Sequence, residues 1–230
     1  MAIFSVVLFT APPSAGMDGG GALVKIDGRE ALLRSVELFL NRDNVKQIQL
    51  VVTQQAMEEA KRKYGGHLGF SGVKLIAGGP SWIDQLAAAG QNISAECTHV
   101  LVHDAARPAV AYSDLEAIMA EAEKHPVVAL AAPLRTTVAE IDESGELKAL
   151  HPPQRFMQVV TPWTLKKDRF LDMAKSKREP SPGEITLLKG SSLNVRVGHP
   201  ADASLVRAMI AMLPKPKIRG PENPFEEAQW

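Results

Sequence analysis

Residues 99–108 read His-Val-Leu-Val-His-Asp-Ala-Ala-Arg-Pro, and the fold class follows from this stretch and its surroundings. Residues 99–103 predict a strand buried on both faces, because a short, mostly apolar run that ends in turn-forming residues is typical of a parallel sheet. Asp104 to Pro108 then form a loop at the carboxyl end of that strand. In parallel sheets this end faces the ligand crevice, so the loop is a candidate functional segment.

The same strand-then-helix pattern extends along the chain in both directions. Strand and helix alternate six times, which predicts a mainly parallel sheet with helices on both faces, because parallel neighbours need crossover connections. The predicted strands are residues 2–9, 48–53, 73–76, 99–103, 127–132 and 193–197, and the predicted helices are residues 30–41, 55–63, 82–94, 114–124, 164–176 and 202–213. Gly65 and Gly66 are predicted to end the second of these helices.

Three stretches depart from that alternation. Residues 134–160 predict a β-hairpin that protrudes as an arm, with its turn at Gly145. Residues 177–192 are predicted to be a Pro-, Ser- and Lys-rich insertion. Residues 214–230 contain four prolines and charges of both signs, and they predict a mobile Pro-rich tail. We therefore predict a single domain over residues 1–213.

The composition limits the classes of partner and compartment. Lys plus Arg and Asp plus Glu each total 26, so the formal net charge is zero. Non-specific nucleic-acid binding is not expected, because it needs a basic surplus or a basic face. The single cysteine, Cys97, fits a reducing compartment, and the apolar run at residues 2–9 is far shorter than the roughly 20 residues that span a bilayer. We predict a cytoplasmic protein whose partners include neither a membrane nor a nucleic acid.

Three loops are expected to line one crevice at the carboxyl ends of the strands. They are residues 10–24, 77–82 and 103–108. Glycines such as Gly16 in the first loop, and Gly78 and Gly79 in the second, suit a backbone that approaches a phosphate closely. The alternatives are a flexible surface turn for the first loop and a turn that only ends a strand for the second.

The third loop carries the candidate charged groups. Asp104 could hold a magnesium ion that bridges phosphates, and Ala105 leaves room for a ligand. Arg107 could orient a phosphate or brace Asp104. The alternative is that Asp104 caps the turn and pairs with Arg107. Arg196, predicted in the short strand before the last helix, could bind a phosphate bidentately or could be a solvated strand residue.

These segments resemble the 2-C-methyl-D-erythritol 4-phosphate cytidylyltransferase family and its ribitol-phosphate cytidylyltransferase relatives. The resemblance covers about residues 3–213, and the HDAARP run at residues 103–108 is highly specific to the family. The other pieces occur in the expected order: Ala132-Pro133 with Thr137, Thr161-Pro162, and Asn194-Val195-Arg196-Val197 through Pro200 and Asp202.

The resemblance implies a fold and a reaction. The fold is a Rossmann-like, three-layer α/β nucleotidyltransferase fold with a mainly parallel sheet and a protruding β-arm. The reaction transfers CMP from CTP to a sugar-alcohol phosphate, 2-C-methyl-D-erythritol 4-phosphate, and releases pyrophosphate in the isoprenoid precursor pathway. The Asp of the motif, here Asp104, holds Mg²⁺ on the phosphates of CTP. Such chemistry depends on positioning and on charge neutralisation.

The resemblance also implies roles for particular residues. The arm over residues 134–160 exchanges between two subunits of a homodimer and completes the partner's substrate pocket. The implied catalytic residues are Lys25 and Arg196, the implied nucleotide-binding residues are Thr10, Ala11, Gly16, Gly78, Gly79, Ala105 and Arg107, and the implied substrate-binding residues are Arg135, Thr137, Arg155 and Thr161.

The chain departs from the family pattern where the family binds the triphosphate. The family's first loop carries an Arg and then a Pro-Lys pair, whereas residues 10–21 contain no Arg or Lys, and Lys25 follows about four residues late. Trp82 and Gln85 stand where the family has an Arg and a Ser. One alternative is therefore a catalytically impaired descendant that acts as a binding or regulatory module. Another is a transferase for a different nucleotide or sugar phosphate.

Overall fold

The centre of the molecule is a seven-stranded sheet. The computed structural model describes residues 1–13 and 19–214. Over these residues the strands are β1 Phe4–Phe9, β2 Lys25–Ile26, β3 Arg29–Glu30, β4 Val45–Thr53, β5 Val73–Gly78, β6 His99–Asp104, β7 Val127–Pro133, β8 Val138–Ile141, β9 Leu147–His151, β10 Met157–Lys166 and β11 Thr186–Lys189. The helices are α1 Ala31–Glu37, α2 Met57–Phe70, α3 Trp82–Gly90, α4 Tyr112–Glu121, α5 Lys167–Ser176 and α6 Ala203–Met212.

The strand order of the central sheet is β11-β7-β10-β6-β1-β4-β5. All neighbours are parallel except β10, which runs antiparallel to both β6 and β7. Successive side chains of a strand point to opposite faces, so Phe4, Val6 and Leu8 of β1 pack on the side of α1, α2 and α4. Val7 and Phe9 pack with α3 and α5 on the other side. The predicted three-layer α/β fold with a mainly parallel sheet is confirmed.

Two predictions near the carboxyl half of the chain are wrong. Residues 157–166 form β10, the ten-residue strand between β6 and β7, so α5 begins at Lys167 and not at residue 164. Residues 193–197 are not a strand, and the strand lies earlier, at β11, inside the stretch predicted to be an insertion. Val197 instead packs in a small apolar cluster with α6, so its burial does not require a place in the sheet.

Gly65 and Gly66 do not end the second helix, because α2 continues to Phe70. Tyr64 and Leu68 are buried together with Ala60 on one face of that helix. A glycine in a helix costs about 1 kcal/mol relative to alanine, and burying a leucine side chain yields about 2 kcal/mol. The two glycines therefore cost about 2 kcal/mol, which burial of the Leu68 side chain offsets.

The predicted hairpin is present as the antiparallel pair β8 and β9, which forms a sheet of its own, whereas residues 157–160 of the predicted arm belong to β10 of the central sheet. Gly145 adopts a φ of +87° in its turn, a conformation that favours glycine. Most residues of the two hairpin strands are exposed. Residues 215–230, for which a mobile tail is predicted, lie outside the described residues, and no helix within the described part of the chain is long and apolar enough to cross a membrane.

Candidate active site

The loop after β6 is shaped by hydrogen bonds that continue the sheet and then turn the chain. The Ala105 N–H donates to the Phe9 carbonyl at 2.9 Å, and the Arg107 N–H donates to the Asp104 carbonyl at 3.0 Å. The Asp104 side chain accepts from the Ala106 N–H at 2.9 Å, the local bond that Asp favours in turns. This turn holds the Asp104 carboxylate at the carboxyl edge of the sheet.

Asp104 is buried together with two guanidinium groups. Its Oδ2 atom lies 2.8 Å from Arg196 Nε and 3.9 Å from Arg107 Nε. The carboxylate is fully buried, and both arginine side chains are 6% exposed. Burial raises the pKa of the Asp104 carboxyl, while Arg196, the Ala106 N–H and Arg107 oppose that rise. Two guanidinium groups against one carboxylate leave this cluster positively charged, which favours an anionic ligand.

His103 lies beneath the turn and stabilises it. Its Nε2 atom is 3.0 Å from the Arg107 carbonyl, and its ring contacts Phe39 edge to face. The side chain is fully buried, and this burial lowers its pKa to about 3. A neutral imidazole carries one N–H, so Nε2 donates to the Arg107 carbonyl and holds the backbone from which the Arg107 side chain extends.

Thr161 of β10 faces the same cluster. Its hydroxyl accepts a hydrogen bond from the Asp104 N–H at 3.0 Å, and its carbonyl accepts one from Asn194 Nδ2 at 2.7 Å. Asn194 is buried, and its own carbonyl accepts a 2.8 Å bond from Arg107 Nη1. Asn194 thus connects β10 to Arg107 in the loop after β6. Its place in the motif at residues 194–197 did not indicate this role.

Arg196 is held in place by its neighbours in the chain. The Val197 N–H donates to the Ala106 carbonyl at 2.8 Å, which joins this segment to the turn after β6. Gly21 packs against the same point. A Cβ atom on Gly21 would lie 1.8 Å from the Val197 carbonyl oxygen. Residue 21, four positions before Lys25, therefore admits no side chain unless the backbone around Val197 moves.

A cavity of about 300 Å³ opens at the carboxyl ends of β1 and β4. Its described lining is mainly apolar and includes residues of the first loop, α2 and Pro80. The full described lining is Thr10, Ala11, Pro12, Gly19, Ala22, Leu23, Leu32, Leu50, Val52, Thr53, Ala56, Glu59, Ala60, Lys63, Tyr64 and Pro80. A mostly apolar cavity with a few polar groups is typical of a small-molecule site.

Gln85 connects the two glycine-containing loops beside that cavity. Its Oε1 atom accepts hydrogen bonds from the Thr10 N–H at 2.8 Å and the Ala11 N–H at 3.2 Å. Its Nε2 atom donates to the Gly79 carbonyl at 3.4 Å, and the whole side chain is buried. The Thr10 and Ala11 amides are therefore already bonded within the protein. The departure from the family pattern at position 85 is the sequence feature that could have indicated this connection between the two loops.

Gly78 and Gly79 are both required by close packing. A Cβ atom on Gly78 would lie 2.8 Å from a methyl of Val51 and 3.0 Å from the Gln85 backbone. One on Gly79 would lie 2.6 Å from the Asp84 side chain. The contacts of both glycines are with protein atoms, so their place in a phosphate site remains a prediction.

The remaining predicted residues lie away from the Asp104 cluster in the described contacts. Lys25 is exposed in β2 and lines a surface depression with residues 198–200. Arg135, Thr137 and Arg155 are exposed beside the hairpin, and Arg135 donates to the Ser192 hydroxyl at 3.4 Å. Gly16 lies outside the described residues. The chain thus brings together Asp104, Ala105, Arg107, Thr161 and Arg196.

The side chains around Asp104 do not fit direct ligation of Mg²⁺ as they are arranged. Oδ1 accepts from Ala106, and Oδ2 contacts Arg196. A metal ion would have to displace the Arg196 guanidinium from a fully buried carboxylate. Within residues 1–13 and 19–214 there is also no group of three or more His, Cys, Asp or Glu side chains that could hold a metal. No chemical step is therefore derived through a metal ion held by Asp104.

Comparison with solved structures agrees with the fold. A 4-diphosphocytidyl-2C-methyl-D-erythritol synthase from Anaerococcus prevotii superimposes with a TM-score of 0.73 and 15% identity, over 91% of this chain and 96% of that one. A 2-C-methyl-D-erythritol 4-phosphate cytidylyltransferase from Thermus thermophilus gives a TM-score of 0.70 and 20% identity, over 92% of this chain and 100% of that one.

Comparison with sequences identifies the family. A relative from Frankia casuarinae, named 2-C-methyl-D-erythritol 4-phosphate cytidylyltransferase, is 29% identical over 217 residues, which is 86% of this chain and 79% of the relative. A relative of the same name from Symbiobacterium thermophilum is 27% identical over 87% of this chain and 86% of its own length. The family model for these enzymes matches residues 15–211. The chain therefore belongs to the 2-C-methyl-D-erythritol 4-phosphate cytidylyltransferase family.

Proposed function

We propose that this protein transfers CMP from CTP to the phosphate of 2-C-methyl-D-erythritol 4-phosphate and releases pyrophosphate, as a step of isoprenoid precursor synthesis. The observation that carries the proposal is the positively charged cluster of Asp104, Arg107 and Arg196 at the carboxyl edge of the sheet, in a chain of this family. Ligands of such sheets bind at this edge.

In the proposed reaction a phosphate oxygen of the sugar-alcohol phosphate attacks the α-phosphorus of CTP. A new P–O bond forms in line with the bond to pyrophosphate, which breaks, and pyrophosphate leaves with the electron pair. Negative charge gathers between two anionic substrates, so fixed positive charge lowers the barrier. Arg196 supplies that charge, and Asp104 positions it through the 2.8 Å contact to Nε. Arg107, bonded to the Asn194 carbonyl, supplies the second guanidinium.

CTP extends in this proposal from the cavity beside Thr10, Ala11 and Pro80 to the Asp104 cluster. The cavity lies at the carboxyl ends of β1 and β4, the edge at which ligands of such sheets bind. Mg²⁺ is generally held by substrate phosphates together with one or two carboxylates. We therefore propose that it arrives with CTP, and ligation by Asp104 would require Arg196 to leave that carboxylate.

We further propose a homodimer through the hairpin of β8 and β9, residues 138–151. Apolar side chains at Ile141, Leu147 and Leu150 are about 60% exposed, and exposed apolar groups of this kind mark protein contacts. A second chain covering them would also bring Arg135, Thr137 and Arg155 near a site that they do not reach within one chain. A cytoplasmic location and the absence of a nucleic-acid partner stay predictions from composition.

The test is release of pyrophosphate from CTP by the full-length protein with 2-C-methyl-D-erythritol 4-phosphate and Mg²⁺. We expect turnover that Arg196→Met reduces at least a hundredfold, since loss of one preorganised charge contact costs about 3 kcal/mol. Glu58→Gln, a change at an exposed ion pair on α2, is the control and should retain wild-type rates. Absence of turnover with CTP, while another nucleotide or sugar phosphate reacts, would replace the substrates in this proposal.

Absence of turnover with every pair of substrates would instead support a catalytically impaired descendant. The family match does not favour that alternative. In that case calorimetry with CTP tests the binding role, because an impaired descendant that serves as a binding module should still bind CTP.

A further inference from the structure

The cavity beside the first loop contains one cationic side chain among its described residues. Lys63 projects from α2 into a lining that also includes Thr10, Ala11, Pro12 and Gly19. Residues 10–21 contain no Lys or Arg. A triphosphate in or beside this cavity would therefore meet no positive charge from the loop itself, and Lys63 of α2 is the cationic side chain that it would meet.

The register of α2 aims Lys63 at the cavity. Ala56, Glu59, Ala60, Lys63 and Tyr64 line it, and residues three, four and seven apart lie on one face of a helix. Glu59 is the acidic neighbour one turn before Lys63. Lys61 lies on a different face, bonds to Glu58 at 3.0 Å and is absent from the lining. Lys63 therefore differs from Lys61 in facing the cavity.

Lys63 is anchored without being removed from solvent. Its Nζ atom lies 3.0 Å from Glu30 Oε1, and its side chain is 45% exposed while that of Glu30 is 8% exposed. Burial raises the pKa of the Glu30 carboxyl, but the hydrogen bond from Lys63, a backbone hydrogen bond and the charges of Lys63 and Lys25 together leave the pKa below its ordinary value. Both groups are charged at neutral pH. An ammonium has three N–H donors, so a lysine paired with Glu30 can also bind an anion.

We propose that Lys63 is a phosphate-binding residue of the nucleotide site, and that its ligand is the polyphosphate of a nucleoside triphosphate. The inference rests on the proposed function, because it assumes that a nucleotide occupies the cavity. Lys63 supplies from a rigid helix the positive charge that residues 10–21 lack. Glu30, at the start of α1, fixes the direction of the lysine side chain.

The experiment measures binding of tripolyphosphate and of CTP to the full-length protein by calorimetry. We expect Lys63→Met to weaken both at least about tenfold, the value of one hydrogen bond to a charged group, and Lys63→Arg to stay within about threefold. Lys61→Met, the matched control, should leave both affinities unchanged. Equal affinities for Lys63→Met and Lys61→Met would overturn the proposal.

A second variant separates phosphate binding from a structural effect. Lys63→Met alone leaves the Glu30 carboxylate buried without its partner, which destabilises proteins. Glu30→Gln/Lys63→Met removes both charges and should bind tripolyphosphate as weakly as Lys63→Met does. Recovery of wild-type affinity in this double variant would show that the loss came from Glu30, and would overturn the proposal.

Failure of this inference is distinguishable from failure of the proposed function. Wild-type turnover of CTP combined with an unchanged KM for CTP in Lys63→Met would refute the role of Lys63 and leave the transferase intact. Binding of tripolyphosphate that depends on Lys63, without any turnover, would refute the transferase and support the phosphate site.

Discussion

Replacing Asp104 by asparagine should destabilise the folded protein by about 3–5 kcal/mol, the usual cost of removing one partner of a buried ion pair. Asparagine keeps the size of the side chain and can still accept from the Ala106 N–H. It loses the negative charge that lies 2.8 Å from Arg196 Nε and 3.9 Å from Arg107 Nε. Both arginine side chains are only 6% exposed, so solvent cannot replace the missing carboxylate.

The measurement is urea-induced unfolding followed by circular dichroism, with free energies extrapolated to water. Arg196→Met and the double variant Asp104→Asn/Arg196→Met complete a double-mutant cycle. We expect a coupling energy of about 2 kcal/mol. The double variant should lose less free energy of unfolding than the two single variants lose together. Glu58→Gln is the control, because an exposed ion pair contributes about 0–1 kcal/mol. A loss below about 1 kcal/mol for Asp104→Asn, no more than an exposed pair contributes, would refute the view that this pair is buried and interdependent.

Three more outcomes follow from other contacts. The pKa of His103 is lowered by burial from 6.5 to about 3, so its contribution to stability is complete above pH 6.5 and lost as the pH falls towards 3. At about pH 4.5 the loss is about 3 kcal/mol, and His103→Gln should show a smaller acid loss in urea melts than the wild type; equal losses would contradict this. Gln85→Ala leaves the Thr10 and Ala11 amides without their acceptor and should lower the free energy of unfolding by about 1–3 kcal/mol. The measurement is the urea midpoint, which should fall. An unchanged midpoint would contradict this, because it would mean that water replaces the side chain. Leu150→Glu places a charge among the exposed apolar residues of the hairpin and should shift sedimentation from dimer to monomer, whereas a wild-type monomer would exclude the proposed arm exchange.

The elements that were predicted correctly are those whose signal is local. β6 and the turn after it form from ten consecutive residues, since the strand has an apolar centre at residues 100–102 and the Asp104 side chain accepts from the amide two residues along the chain. The hairpin of β8 and β9 could also be predicted from the sequence, because Gly145 allows the positive φ of its turn. Such short-range preferences act before any distant segment has packed.

The elements that were missed depend on distant partners. β10 contains Pro162 and shows no clean alternation, and it becomes a strand because β6 and β7 bond to it from both sides. α2 extends past Gly65 and Gly66 because Leu68, beyond them, is buried in the core. Neither condition can be read from residues near these segments, so the two glycines predicted too early an end for α2, and a predicted helix covered part of β10.

The same division applies to the candidate site. The sequence by itself determined the α/β fold class, the carboxyl edge at which ligands bind, and the charged groups Asp104 and Arg107, since these follow from chain-local patterns. Only the tertiary structure decided the partners of those groups. Asp104 contacts Arg196 across 92 residues of chain, Gln85 reaches the Thr10 amide across 75 residues, and Lys63 points into the cavity from α2. Hydrogen bonds and ion pairs extend only a few ångströms, so packing of the whole chain determines which side chains can form them.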